Sequence, residues 1–242
     1  MHRVVPELIV ESYREGRYSG DFEAVGLFLD LSGFSTMTDV LMQYGQHGAE
    51  VLAGLMHGVF DPMVESIFDY GGKIIGFAGD GIMALYPIES DAKTTALQAL
   101  TSAYIIQNRF RENPSRQTIY GAFSIFAKIG LGYGSVSWGI LRSKRGNQAA
   151  YYFRGSAVDE SAEAEHRAEA GEIVLAETIY ELLREAVDST PRAAFQCFTG
   201  FCVETPRPVQ VAFSAVDLSI ARLFMPEDVI SNDVRGEFRQ VV

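Results

Sequence analysis

The run Glu23–Leu31, EAVGLFLDL, constrains the fold more than any other stretch of the chain. Every position from Ala24 to Leu29 is apolar, so the stretch lacks the alternation of a strand with one wet face. A strand of this kind is covered on both sides and belongs inside a sheet. Asp30 breaks the pattern. It sets a carboxylate near the end of an apolar strand, where an unpaired charge is costly.

The surrounding punctuation places that strand among other elements. Val5–Gly16 reads as an amphipathic helix with a glycine stop, followed by a short arm. From Thr36 to Tyr70 the helical period dominates and ends at Gly71-Gly72. KIIGFAGDGIMALYP reads as a β-hairpin whose tip is Ala78-Gly79-Asp80-Gly81. Asp91 is placed to cap a helix running to about Arg111. AFSIFAKIGLGYGSVSWGIL reads as two strands meeting near Gly132-Tyr133-Gly134, and YYFR as a short strand. Next come a helix, SAVDESAEAEHRAEAG, closed by Gly171, a strand, EIVLA, and a helix, ETIYELLREAV. The last strand is expected at PVQVAFSAV. Alternating strands and helices with hairpins between them predict an α+β fold, a mixed sheet packed on helices.

Charge and cysteine content narrow the partners. With 31 acidic and 20 basic residues, a formal net charge of -11, the chain does not suit broad nucleic-acid binding. A polyphosphate ligand stays open to an acidic chain if metal ions bridge the two. Cys197 and Cys202 lie far from the other motifs and read as reduced thiols. The opening residues lack a signal-peptide pattern, and no uninterrupted apolar run reaches about 18 residues. A cytoplasmic protein without a membrane segment is expected.

Asp30 is followed by Leu31-Ser32-Gly33-Phe34-Ser35, a small-residue turn into a helix, where successive N–H groups suit a phosphate. If the hairpin pairs beside the first strand, Asp80 converges on Asp30. Read singly, Asp30 is a carboxylate capping the following helix and Asp80 a turn residue. Read together, two close carboxylates repel unless they share a proton or hold cations, and magnesium accepts such ligands beside substrate phosphates.

FLDLSGFSTMTD, followed by GGKIIGFAGDGIMALYP, resembles the catalytic domain of class III nucleotidyl cyclases. GLGYGSVSWG, YYFRGSAVDESA and AGEIVLA continue the likeness in the same order, over about residues 22–216. The opening is most similar to the first cyclase domain of tandem soluble adenylyl cyclases. The resemblance implies a ferredoxin-like βαββαβ core with extra strands, and head-to-tail pairing with a second cyclase domain. It divides the chain into an N-terminal helix and arm (1–21), a cyclase homology domain (22–216), and a C-terminal helix and linker (217–242). A short G-[DE]-F-x-x-V match between Gly20–Val25 and Gly236–Val241 agrees with a second, similar domain beginning at the chain's end. By resemblance Asp30 and Asp80 are catalytic and hold two Mg²⁺ or Mn²⁺ ions, helped by the Leu31 carbonyl. The backbone of Ser32, Gly33, Phe34 and Ser35 binds the nucleotide phosphates. The implied reaction converts ATP to 3′,5′-cyclic AMP and pyrophosphate.

Four family positions depart from the pattern. The base-reading lysine is replaced by Gly76, and strand alternation sends nearby Lys73 to the opposite face. The second base-selecting position is Tyr152. The asparagine–arginine pair that would clamp ribose and transition state is replaced by Asp159 and Glu163, with Arg167 placed to pair with Glu163. The bicarbonate-binding positions of some relatives fall on Gly76 and Ala162, which argues against bicarbonate sensing. The chain thus has every family residue of one half-site and none of the other. Two readings follow: the metal-binding half of a tandem adenylyl cyclase, inactive alone, or a regulatory or dimerisation module with a cyclase fold and no chemistry.

Overall fold

The computed structural model describes residues 5–209 and 217–225. The apolar run is the middle of β1 (Ser19–Ser32), which lies inside an eight-stranded sheet. After it come α2 (Phe34–Met42), α3 (Gly45–Asp69), the hairpin β2 (Lys73–Ala78) and β3 (Gly81–Pro87), and α4 (Ala92–Glu112). Asp91 caps α4 by accepting a hydrogen bond from the Thr94 N–H at 2.7 Å. With β6 (Phe126–Arg142) these elements give the antiparallel order β2-β3-β1-β6, the ferredoxin-like core. The chain begins with α1 (Glu7–Arg14).

Extra strands extend the sheet. β7 (Ala149–Arg154) pairs with the far end of β6, and β8 (Ile173–Ala176) runs parallel beside its start. β10 (Phe195–Phe201) and β9 (Val187–Arg192) complete that side as a hairpin, with Ala193 at φ 53 in its turn. α5 (Ser156–Arg167), α6 (Glu177–Leu183) and the short α7 (Leu218–Ala221) with a 3-10 turn at Arg222–Phe224 are the remaining helices described. A separate hairpin, β4 (Ser115–Thr118) and β5 (Gly121–Ser124), sits between α4 and β6.

Both faces of β1 are covered, as its composition requires. Val25, Leu27, Leu29 and Leu31 enter the main core with residues of α3 and α4. The alternate residues, Ala24, Gly26, Phe28 and Asp30, face α5. Glycine lets α5 lie close. A Cβ at Gly26 would sit 2.1 Å from the Ala157 carbonyl oxygen, and one at Gly130 would sit 2.1 Å from the Glu165 nitrogen.

Several expectations are corrected. Phe126–Arg142 is one strand of 17 residues rather than two meeting near Gly134. Its glycines make room for α5 instead of turning the chain: a Cβ at Gly132 would be 2.7 Å from the Glu160 Cβ. α5 ends at Arg167, before Gly171, and the β9–β10 hairpin was not anticipated. Residues 210–216 of the expected last strand, and the repeat at Gly236–Val241, lie outside the described residues. Among the described residues α3 is long and apolar enough to cross a membrane by length and composition. Its Val59, Phe60, Met63, Val64 and Ile67 are nevertheless buried against the sheet and α4.

Candidate active site

The β2–β3 hairpin brings the two carboxylates together. Leu29 pairs with Ile82 across β1 and β3, so Asp30 lies one residue beyond that pair, beside the hairpin tip. Ala78 pairs with Gly81, which leaves Gly79-Asp80 as a two-residue turn with Gly79 at φ +65. A Cβ at Gly81 would meet the Leu29 carbonyl oxygen at 3.2 Å, so the tip rests on the β1 backbone. The electrostatics report the same proximity. Burial holds the Asp80 carboxyl above its ordinary pKa, the Asp30 charge adds to the rise, and an N–H of its own backbone opposes both.

The turn into α2 lies alongside. Gly33 caps that helix in a left-handed conformation, φ 91, and a Cβ there would lie 2.3 Å from the Ser124 carbonyl oxygen. The side chains of Leu31 and Phe34 are buried in the core, so these residues offer the site only their backbone. Ser35 is exposed and Ser32 half-buried. The first N–H groups of a nine-residue helix therefore open beside the two aspartates.

A cation completes this cluster, and the sequence motifs do not include it. Lys128 on β6 stands directly opposite Asp30 on β1, and directly paired residues of neighbouring strands share a face. Its Nζ donates to Glu165 Oε1 on α5 at 2.6 Å. The sequence carried a signal: Lys128 interrupts the apolar run of FAKIGLG as Asp30 interrupts that of β1.

Of the remaining family positions, Tyr152 stands apart. Tyr152 on β7 pairs with Gly139, and a Cβ at Gly139 would be 2.6 Å from the Tyr152 ring, so the ring covers that glycine. Gly139 is 11 residues along β6 from Lys128 (139 − 128), about 35 Å at the usual strand rise. Asp159 and Glu163 are exposed on α5, and Glu163 pairs with Arg167 at 3.5 Å, as the spacing predicts. Gly76 faces open space: a Cβ there would have nothing within 4 Å. The face assigned to Lys73 is corrected. A β-bulge between Ile74 and Gly76 puts Lys73 opposite Leu85 and Gly76 opposite Met83, two residues of one face. The extra residue of the bulge cancels the alternation.

Two hard carboxylate donors, unpaired with any cation among the described residues, fit magnesium or manganese. Among the described residues no three His, Cys, Asp or Glu side chains gather into a metal-binding group. Backbone and substrate oxygens would have to complete the shell.

Comparison with known proteins agrees with this architecture. No family model matches the sequence. Adenylate cyclase type 10 of Oryctolagus cuniculus is 29% identical over 183 residues, covering 74% of this chain and 11% of that protein. The Homo sapiens protein of the same name is 28% identical over 183 residues, again 74% and 11%. The adenylyl cyclase CyaB from P. aeruginosa superposes with a TM-score of 0.57 at 19% identity, covering 79% of this chain and 98% of that one. The guanylyl cyclase Cya2 does so with a TM-score of 0.60 at 22% identity, covering 81% and 100%. The chain thus has the fold of class III nucleotidyl cyclase catalytic domains and is similar in sequence to adenylate cyclase type 10. It spans about a tenth of the length of the curated relatives it matches. The two carboxylates and the turn into α2 come from one end of the β1–β6 pair. Tyr152 lies toward the other end, so a single copy does not bring all the family positions together.

Proposed function

We propose that this chain is the metal- and phosphate-binding half of an adenylyl cyclase, completed by a second cyclase domain. The observation that carries the reading is the convergence of Asp30, Asp80 and the α2 N-terminus at one end of β1. Asp30 and Asp80, with the Leu31 carbonyl, would hold two Mg²⁺ or Mn²⁺ ions. The N–H groups from Ser32 to Ser35 would bind the β- and γ-phosphates, and the Lys128 charge would favour the triphosphate over the diphosphate. Bound there, the ions would supply a lowered pKa at the ribose 3′-hydroxyl and charge neutralisation on the leaving group. The 3′-oxygen bonds to the α-phosphorus, the α–β phosphoanhydride bond breaks, and the hydroxyl proton and pyrophosphate depart. A second domain would supply base recognition and the clamp that Gly76, Tyr152, Asp159 and Glu163 do not provide.

ATP as the substrate follows the relatives named adenylate cyclase. This chain alone, with ATP and Mg²⁺ or Mn²⁺, should yield no cyclic AMP. Joined to a second cyclase domain carrying the lysine, asparagine and arginine, it should be active, and Asp30→Ala should abolish that activity. The carboxylates Asp159 and Glu163 favour one other reading, a regulatory or dimerisation module without chemistry. An assembled pair that stays inactive, or that tolerates Asp30→Ala, would establish it instead.

A further inference from the structure

Lys128 faces a choice between two carboxylates. Asp30 stands directly across the strand pair, where Cβ atoms are about 5 Å apart and a lysine reaches easily. Glu165 reaches it from α5. The structure shows the ammonium on Glu165 at 2.6 Å and no ion pair to Asp30. The bond is sheltered: the Glu165 side chain is 3% exposed and that of Lys128 23%. Glu165 is also rigidly placed. Its backbone lies so close to β6 that a Cβ at Gly130 would be 2.1 Å from its nitrogen. Its other oxygen is 3.8 Å from exposed His166 Nε2.

We infer that Glu165 is a positioning residue which holds Lys128 off Asp30, keeping that carboxylate free for a divalent cation while leaving a positive charge beside the phosphate turn. The inference rests on the metal reading of Asp30 and Asp80. Without Glu165, the ammonium loses its partner inside a partly dry cleft, where an unpaired charge is costly. Asp30 is the carboxylate opposite it. An ion pair formed there neutralises a metal ligand, and a divalent cation must then displace the lysine to bind. A merely structural Glu165 predicts lost stability and no such competition.

Calorimetric titration of the full 242-residue chain with Mn²⁺ alone, then with tripolyphosphate in the presence of Mn²⁺, tests this. Glu165→Gln should weaken Mn²⁺ binding at least about tenfold, since a unit charge now competes at contact distance. Lys128→Met/Glu165→Gln should restore Mn²⁺ binding to within about twofold of the unaltered chain, yet bind tripolyphosphate more weakly. Glu165→Asp, which shortens the reach by one methylene, keeps the test open if Glu165→Gln does not fold; an intermediate loss is expected. Unchanged Mn²⁺ affinity in the folded single variants, or no recovery in the double variant, overturns the inference. Asp30→Ala separates the two levels. If it binds Mn²⁺ like the unaltered chain, the metal reading falls and this inference with it; if it loses Mn²⁺ while Glu165→Gln does not, only the role of Glu165 falls.

Discussion

Replacing Gly33 by alanine tests the turn from β1 into α2. Two separable costs are expected. The residue sits at φ 91, a left-handed conformation that an L side chain adopts at about 1–2 kcal/mol. The added Cβ would then lie 2.3 Å from the Ser124 carbonyl oxygen, against an ordinary contact of 3.4 Å or more. That oxygen ends β5, the strand leading into β6, so about 1 Å of backbone movement is needed; overpacking of this kind costs about 1–3 kcal/mol. The sum is roughly 2–5 kcal/mol. For a chain of this size each kcal/mol lowers Tm by about 2–4 °C. Gly79→Ala is the internal control, because Gly79 is also left-handed, φ +65, but has nothing within 4 Å of the new Cβ. It should cost about 1–2 kcal/mol, the dihedral part alone. Urea unfolding followed by far-UV circular dichroism gives both values with a shared m. Equal destabilisation by the two variants would refute the close approach of Gly33 to β5.

Three further outcomes are expected. Gly26→Ala and Gly130→Ala drive a methyl into the backbone of α5, and each should cost about 3 kcal/mol or more in urea unfolding, since no side chain can swing away. Asp80→Asn should raise Tm in the presence of EDTA: the folded pKa of Asp80 lies above its unfolded value, so stability is lost as pH rises from the unfolded pKa through the folded one. The advantage of the asparagine should vanish below the unfolded pKa and be complete above the folded one; a scan of both proteins from about pH 3.5 to 8 checks the sign. Gly76→Lys enters open space and should change stability by no more than about 0.5 kcal/mol. Combined with Asp159→Asn and Glu163→Arg, it should give a chain that makes cyclic AMP when paired with itself, and adding Asp30→Ala should remove that activity.

The legible parts of the fold were those in which one residue type has one use. The hairpin tip was readable because Gly79 takes the left-handed position of the Gly79-Asp80 turn, and α4 because Asp91 caps it. The misreadings share a cause: a local feature answered to a tertiary demand. Gly130, Gly132 and Gly134 suggest a break in β6, yet they thin the strand so that α5 can approach. The bulge after Ile74 reversed the face of Lys73, and alternation carries no warning of a bulge. β9 contains Pro191, which demotes a strand in sequence but is tolerated at the edge of the sheet, where β9 lies.

The same contrast explains why half of the site was readable and Lys128 was not. Asp30 and Asp80 sit at strand ends beside glycines, so short stretches announce them. Lys128 acquires its meaning only from register, through the pairing of β6 with β1. That pairing also bears on how the domain could work. β1 and β6 are paired from Asp30↔Lys128 and Ser32↔Phe126 at one end to Ser19↔Gly139 at the other, a ribbon of about 14 residues. A ligand as long as a nucleoside triphosphate, roughly 15–20 Å, cannot touch both ends of a ribbon about 45 Å long at the usual strand rise. Asp30, Asp80 and the α2 N-terminus lie at one end and Tyr152 toward the other, so one such ligand cannot touch both within a single copy. Gly76, across β3 from the level of Phe28, stays near the carboxylate end. On the proposed cyclase reading, Tyr152 would act with the carboxylate end of a partner laid alongside in the opposite direction. A changed base-selecting residue at Tyr152 then leaves Asp30 and Asp80 intact, because on that reading the two would serve different substrate molecules.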